Sequence, residues 1–294
     1  MVEKIPLFVG VDGGGTTCRA RVFDEHLNEL GHATAGAANI ARNTESVLNE
    51  IAHVIHASLQ DAKIPTHQRQ QYKIHVCAGL AGFKVRAAQH ALQMWQHPYQ
   101  QLSVTTDLTA AIWGGHNGHD GSALIVGTGS CAAAKYGETI TQIGGHGFVL
   151  GDKGSGAWLG KKALQVTLLS LEQYPGAVPR DFSQAIIEVT GCQTAEDIVS
   201  QFNNAQPADF ARLAPALFEL APSQKNAAAL ISEGAEYLSV IATQALELSG
   251  GNLCLAGGLA ESYRSYLDPS LITRIQPPQQ GAEYGAVLWA KSQA

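Results

Sequence analysis

Twice in this chain a short apolar run stops at a turn of glycines and hydroxyl residues, and an alternating strand follows. Residues 8–11 run into Asp12, Gly13, Gly14, Gly15, Thr16 and Thr17, after which residues 19–23 alternate polar and apolar as a half-buried strand does. Residues 29–34 can add a third strand. Residues 123–126 then stop at Gly127, Thr128, Gly129 and Ser130, and residues 132–136 and 139–143 repeat the strand, turn, strand layout. Such self-similarity implies two domains of one design, each opening with the same unit. Glycines at these turns let backbone N–H groups close round phosphate oxygens, and the hydroxyls donate to the same oxygens. One such loop could be a plain hairpin with an Asx turn; a facing pair makes a clamp for a polyphosphate. Asp12 adds a carboxylate able to hold hydrated Mg²⁺.

Strands and helices alternate around these loops. Thr44 or Asn43 can cap a helix that carries Val47, Ile51, Val54, Ile55 and Leu59 on one face. Residues 74–77 read as a buried strand, 85–95 as a helix, 102–106 as a strand and 108–113 as the start of another helix. In the second half, residues 157–171 are helical, 181–224 form a helical insertion and 227–248 a long helix. Residues 252–256 are a strand and 284–291 a last helix. This alternation calls for parallel sheets covered on both faces, an α/β fold. The expected division is 1–116 and 117–294, with the Gly-rich stretch 114–121 as hinge.

Composition narrows the function classes. Lys plus Arg number 19 against 25 Asp plus Glu, a net charge of −6, so no cationic face for nucleic acid is expected. With 45% hydrophobic and 15% charged residues, the 294-residue chain is too apolar to stay disordered. Its longest apolar runs fall far short of the roughly 20 residues a membrane helix needs. Met1, Val2, Glu3 and Lys4 do not open a signal peptide, so a cytoplasmic protein is expected. The cysteines (Cys18, Cys77, Cys131, Cys192 and Cys254) are scattered without a CxxC pair, which fits reduced thiols better than a disulfide frame or zinc site.

The first loop is not a dinucleotide fingerprint, because Cys18 stands where a third glycine belongs and a strand follows. No Gly-Lys-Ser/Thr occurs, so there is no Walker A loop. Asp107 follows Thr105 and Thr106 where a strand gives way to a helix. It can cap that helix, or it can be the general base that takes a hydroxyl proton during phosphoryl transfer. In residues 144–158, glycines flank His146 and bring backbone close to something, while Asp152 can cap the helix that follows. His116, Asn117, Gly118, His119 and Asp120 have metal-type side chains without a third ligand at helical or strand spacing, so no metal is expected there. His53 and His56 belong on a solvated helix face, and Trp95, Trp113 and Trp158 are expected as core anchors.

Taken in order, these loops resemble the superfamily of actin, the heat-shock ATPase chaperones and the sugar kinases. Residues 12–17 are similar to its first phosphate loop, 127–130 to its second, and 255–262, with Gly257 and Gly258, to its adenosine motif. The resemblance implies two actin-like (ribonuclease H-like) ATPase domains with a cleft between them. Residues 144–158 are similar to the sugar-binding signature of the N-acetylglucosamine kinase branch of the BadF/BadG/BcrA/BcrD-type ATPases. That implies ATP-dependent phosphorylation of an amino sugar at its 6-hydroxyl, with ATP and Mg²⁺ as cofactors. Asp107 would be the base. Asn39, Ser130, Gly145, His146, Gly147 and Asp152 would contact the sugar, together with Asp107. Asp12 would organise the metal, while Gly13, Gly14, Gly15, Thr16, Thr17, Gly127, Thr128, Gly129, Gly257 and Gly258 would hold ATP. Glucosamine leads over N-acetylglucosamine, because residues 10–22 and 35–40 are most similar to the bacterial glucosamine-specific type. The alternatives are another hexose kinase, an activator ATPase with an iron–sulfur cluster, and a sugar-sensing regulator. A homodimer is implied by resemblance alone.

Overall fold

The apolar run before the first loop becomes β1 (Ile5–Gly13), the middle strand of a five-stranded sheet. The structure, a computed structural model, describes residues 4–15, 17–40, 44–174 and 180–293. After β1 come β2 (Cys18–Phe23), β3 (Glu29–Ala35), α1 (Thr44–Asp61), a 3₁₀ turn (Thr66–Gln71), β4 (Tyr72–Leu80), α2 (Arg86–Met94), β5 (Gln101–Thr106) and α3 (Asp107–Gly115). The strand order is β3-β2-β1-β4-β5, antiparallel from β3 to β1 and parallel from β1 to β5. Leu7, Val9 and Val11 of β1 point to one face, where they meet Val47, Ile51, Val54, Ile55 and Leu59 of α1. Each such side chain, taken from water, contributes about 1.5–3 kcal/mol. Asn43, the alternative cap of α1, lies outside the described residues.

The second half repeats the design. It contains β6 (Gly121–Val126), β7 (Ser130–Tyr136), β8 (Thr139–Gly144), α4 (Gly156–Leu171), α5 (Arg180–Thr190), α6 (Ala195–Phe202), α7 (Pro207–Ala211), α8 (Ala214–Leu220), α9 (Lys225–Ser249), β9 (Leu253–Ala256), α10 (Ala260–Tyr263), a 3₁₀ turn (Arg264–Tyr266), α11 (Pro269–Ile272) and β10 (Ile275–Gln276). Its strand order, β10-β9-β6-β7-β8, is that of the first sheet with β6 in the place of β1. Two α/β units of one sheet order are the actin-like arrangement expected. Leu124, Val126, Leu159, Phe182, Leu217, Ile231, Leu238 and Tyr263 are among the side chains of its core. Trp158 packs half-buried on that core, Trp113 is buried in the first unit, and Trp95 packs half-buried on the α1 side of the first sheet.

The last helix, α12 (Ala282–Ser292), differs from the expected division at residue 117. The compact units are Met1–Asp120 with Pro277–Ala294, and Gly121–Gln276. Helix α12 covers the second face of the first sheet, where Ala286 and Val287 are buried with Phe23, Cys77 and Ala110. Gly10 permits this, because a Cβ there would strike the backbone carbonyl of Glu283. Periodicity identifies an amphipathic helix but not the sheet it covers. Among the described residues no helix is long and apolar enough to cross a membrane.

Candidate active site

In the first unit, β1, β4 and β5 run parallel and present their carboxyl ends at one edge, where open α/β sheets bind ligands. Backbone hydrogen bonds gather three segments there. The Gly13 carbonyl accepts the Ala81 N–H (2.8 Å), the Gly14 carbonyl accepts the Ala38 N–H (2.9 Å), and the Ile40 N–H donates to Ala81 O (3.1 Å). Asn39, between two residues tied in this way, is therefore brought beside the loop. The turn is closed by the Gly14 N–H donating to Thr17 O at 2.9 Å; Gly15 has open space around it and Thr17 is exposed. Thr16 lies outside the described residues.

Asp107 follows the end of β5 as the first residue of α3, and the capping role expected as its alternative belongs to Thr106. The Thr106 hydroxyl accepts the Thr109 N–H at 3.0 Å, while Asp107 Oδ1 accepts the Leu108 N–H at 2.9 Å. Burial raises the Asp107 carboxyl above the ordinary range, against the opposing pull of backbone N–H groups and the Lys84 charge.

Asp12, next to last in β1, stands opposite Arg19 of β2 and Gly79 of β4. Arg19 donates from Nη2 to Asp12 Oδ2 at 2.8 Å, and the same guanidinium lies 3.5 Å from Oε1 of Glu283. Burial pushes Asp12 up to about 6 despite Arg19, with the charges of Glu283 and Asp107 acting in the same direction as burial. Glu283 escaped the sequence reading, because an acid in the first turn of a helix ordinarily faces water and favours the helix dipole.

The second unit builds its own edge. The Gly127 N–H donates to Gly129 O at 2.9 Å, and the carbonyls of Gly127 and Thr128 accept the N–H groups of Gly156 and Ala157 at 2.8 and 3.3 Å. The loop thus rests on the first turn of α4. Ser130 is buried, with its hydroxyl donating to the Lys153 carbonyl at 2.8 Å. Asp152 takes φ +55°, and its Oδ1 accepts the Gly147 N–H at 3.1 Å. Gly129 makes room for it, since a Cβ there would lie 2.8 Å from Asp152 Oδ2. Ser155 caps α4 by accepting the Trp158 N–H at 3.1 Å, so the cap is not Asp152. Burial raises the Asp152 carboxyl, partly offset by Gly147 and His146. Gly145, His146 and Gly147 are exposed, with both glycines at positive φ. Gly257 lies against the end of β6 and leads to Leu259, whose N–H donates to Val126 O at 3.0 Å; Gly258 is exposed next to it.

Among the described residues no three His, Cys, Asp or Glu side chains form a group able to hold a metal ion by themselves. Mg²⁺ binds one or two carboxylates and completes its shell with water and phosphate. Asp12, a carboxylate beside a phosphate-type loop, fits that chemistry.

Known proteins share this plan. Glucosamine kinase GspK of Vibrio cholerae is 29% identical over 284 residues, covering 96% of this chain and 95% of that protein. A crystal structure from Chromobacterium violaceum, proposed to be an N-acetylglucosamine kinase, superposes with a TM-score of 0.89 at 29% identity, over 97% of this chain and 99% of the other. A glucokinase of the ROK family from Streptomyces griseus shares the fold at 16% identity, with a TM-score of 0.55 over 98% and 100% of the two chains. The profile of the BadF/BadG/BcrA/BcrD ATPase family matches residues 9–290, and the chain belongs to that family.

Proposed function

We propose that this protein is an ATP-dependent kinase that phosphorylates an amino sugar at its 6-hydroxyl, with D-glucosamine the first substrate and N-acetyl-D-glucosamine the second. The observation that carries the reading is the place of Asp107. It stands at the carboxyl end of β5, is relieved of capping by Thr106, and has its carboxyl raised by burial. A base so raised accepts a proton more readily. The Asp107 carboxylate takes the proton of the 6-hydroxyl, that oxygen forms the new bond to the γ-phosphorus, and the bond to the β-phosphate oxygen breaks to release ADP. The names of the Vibrio cholerae and Chromobacterium violaceum relatives support the substrate class.

Each remaining residue has a role of the kind its geometry suits. Gly15, Thr128 and Gly129 offer backbone N–H and hydroxyl donors to phosphates, as Thr16 and Thr17 would, in turns that Gly13, Gly14 and Gly127 shape, while Gly257 and Gly258 leave bare backbone for the nucleoside. Asn39, Ser130, Gly145, His146, Gly147 and Asp152 are the sugar contacts, with the Asp152 carboxylate as the strongest acceptor. Asp12 would hold a hydrated Mg²⁺, which supplies positive charge to the β- and γ-phosphates when bound.

The test is ADP release from Mg-ATP measured side by side with glucosamine, N-acetylglucosamine, glucose and no sugar. Turnover that depends on one amino sugar is the expected result. Equal ADP release without sugar, or none with any sugar, would overturn the reading.

A further inference from the structure

Glu283 is a carboxylate for which the reaction above has no use, yet it is only 2% exposed. It enters the first turn of α12, and Gly281 leaves space beside its Oε2. Oε1 lies 3.5 Å from Arg19 Nε and Oε2 lies 4.0 Å from Arg21 Nε. Arg19 reaches past it to Asp12, Nη2 to Oδ2 at 2.8 Å. One guanidinium therefore bridges the carboxylate at the loop and a second one buried behind it. The two ends differ in freedom, because the Arg19 side chain is 55% exposed and that of Glu283 only 3%. Glu283 is the fixed point and Arg19 the part able to move.

A divalent cation at Asp12 competes with Arg19 for the same carboxylate. When the Arg19 bond to Oδ2 opens, the guanidinium needs another acceptor, and Glu283 is already within reach. Charge acts in the same direction. The carboxylates of Asp12, Glu29 and Glu283 face the guanidiniums of Arg19 and Arg21, and neutralising Glu283 removes the excess of negative charge that attracts a cation.

We propose that Glu283 is a positioning residue for Asp12: it takes over Arg19 when a divalent cation binds, and so sets how tightly the cation and its nucleotide are held. The inference deepens the assignment of Mg²⁺ to Asp12 and rests on it. An ion pair that merely ties α12 to β2 would use the same contacts, so the test needs a readout beyond folding and turnover.

Calorimetry of ADP binding, in saturating Mg²⁺ and in EDTA, provides it for the wild type, Glu283→Gln, Arg19→Gln and the double variant. Glu283→Gln is expected to lose about tenfold or more of the Mg²⁺-dependent gain in ADP affinity, as outer-shell partners of metal ligands commonly do, with affinity in EDTA unchanged. Removing Arg19 as well should restore the gain, because the competitor for Asp12 is gone. A full Mg²⁺ gain in Glu283→Gln, or a double variant as weak as Glu283→Gln, overturns the proposal. If Glu283→Gln melts too low to assay, Arg19→Gln decides: retention of the gain supports the proposal, and its loss overturns it by making Arg19 itself a ligand of the nucleotide. A wild type with no Mg²⁺ gain overturns the metal assignment and the inference together.

Discussion

Thr106 caps α3 for Asp107: the hydroxyl of the first accepts the Thr109 N–H at 3.0 Å, which leaves the carboxylate of the second at the edge of the sheet without that duty. On the proposed reading the two residues separate stability from chemistry. Asp107→Asn should reduce kcat by at least about a hundredfold, the range of a general base, and shift the melting temperature little. Thr106→Ala should cost about 1 kcal/mol of stability through the lost cap. Steady-state kinetics and thermal melts on the two variants check this, and near-normal turnover of Asp107→Asn would remove Asp107 from the mechanism.

Asp12 titrates at about 6 instead of 3.8 because burial disfavours its charge. A carboxylate raised in the folded state holds its proton more tightly there than in the unfolded chain. Its contribution to stability is therefore present below pH 4 and is lost as pH rises to about 6. Relative to Asp12→Asn, the wild type should lose on the order of 3 kcal/mol between pH 4 and pH 7, read from urea melts. Since a cation needs the ionised form, kcat/KM for ATP should fall about tenfold from pH 7 to pH 5.

Asp152 is held at φ +55°, a conformation that asparagine tolerates better than most residues. Asp152→Asn should therefore keep the turn and the Gly147 hydrogen bond while losing the charged acceptor. Charge-assisted hydrogen bonds are about twice as strong as neutral ones. KM for the sugar is expected to rise about tenfold or more with KM for ATP unchanged, and a uniform loss on both substrates would point to a collapsed turn instead.

Two glycines in the first unit should respond in opposite ways. A methyl at Gly10 meets the Glu283 backbone, so Gly10→Ala should destabilise by about 2 kcal/mol or more in urea melts by pushing α12 off the sheet. A methyl at Gly15 meets nothing, so Gly15→Ala should leave stability within about 0.5 kcal/mol. It should instead weaken ATP binding by about tenfold, because the added methyl stands where phosphate oxygens must approach the backbone.

Local pattern was enough for much of this molecule. Val47, Ile51, Val54, Ile55 and Leu59 recur at helical spacing and all face the first sheet, because burial rewards one stripe of a helix. The two glycine and threonine turns announced a repeated unit, and in both sheets the strand before the turn pairs antiparallel with the strand after it. Asp107 and Asp152 could be placed at element boundaries, but which residue caps each helix was decided by their neighbours Thr106 and Ser155, whose hydroxyls reach the third N–H of the helix.

What local pattern could not carry was long-range partnership. The amphipathic stretch 284–291 reads as a helix in any context, yet only packing decides that it covers the first sheet and not the second. There the missing side chain of Gly10 and the guanidiniums of Arg19 and Arg21 receive Glu283. The two-residue strand β10 is equally silent in sequence, being defined by pairing with Leu253 and Cys254. Periodicity records which faces of an element shed water; which surface accepts each face depends on shape and charge contributed by residues far away in the chain.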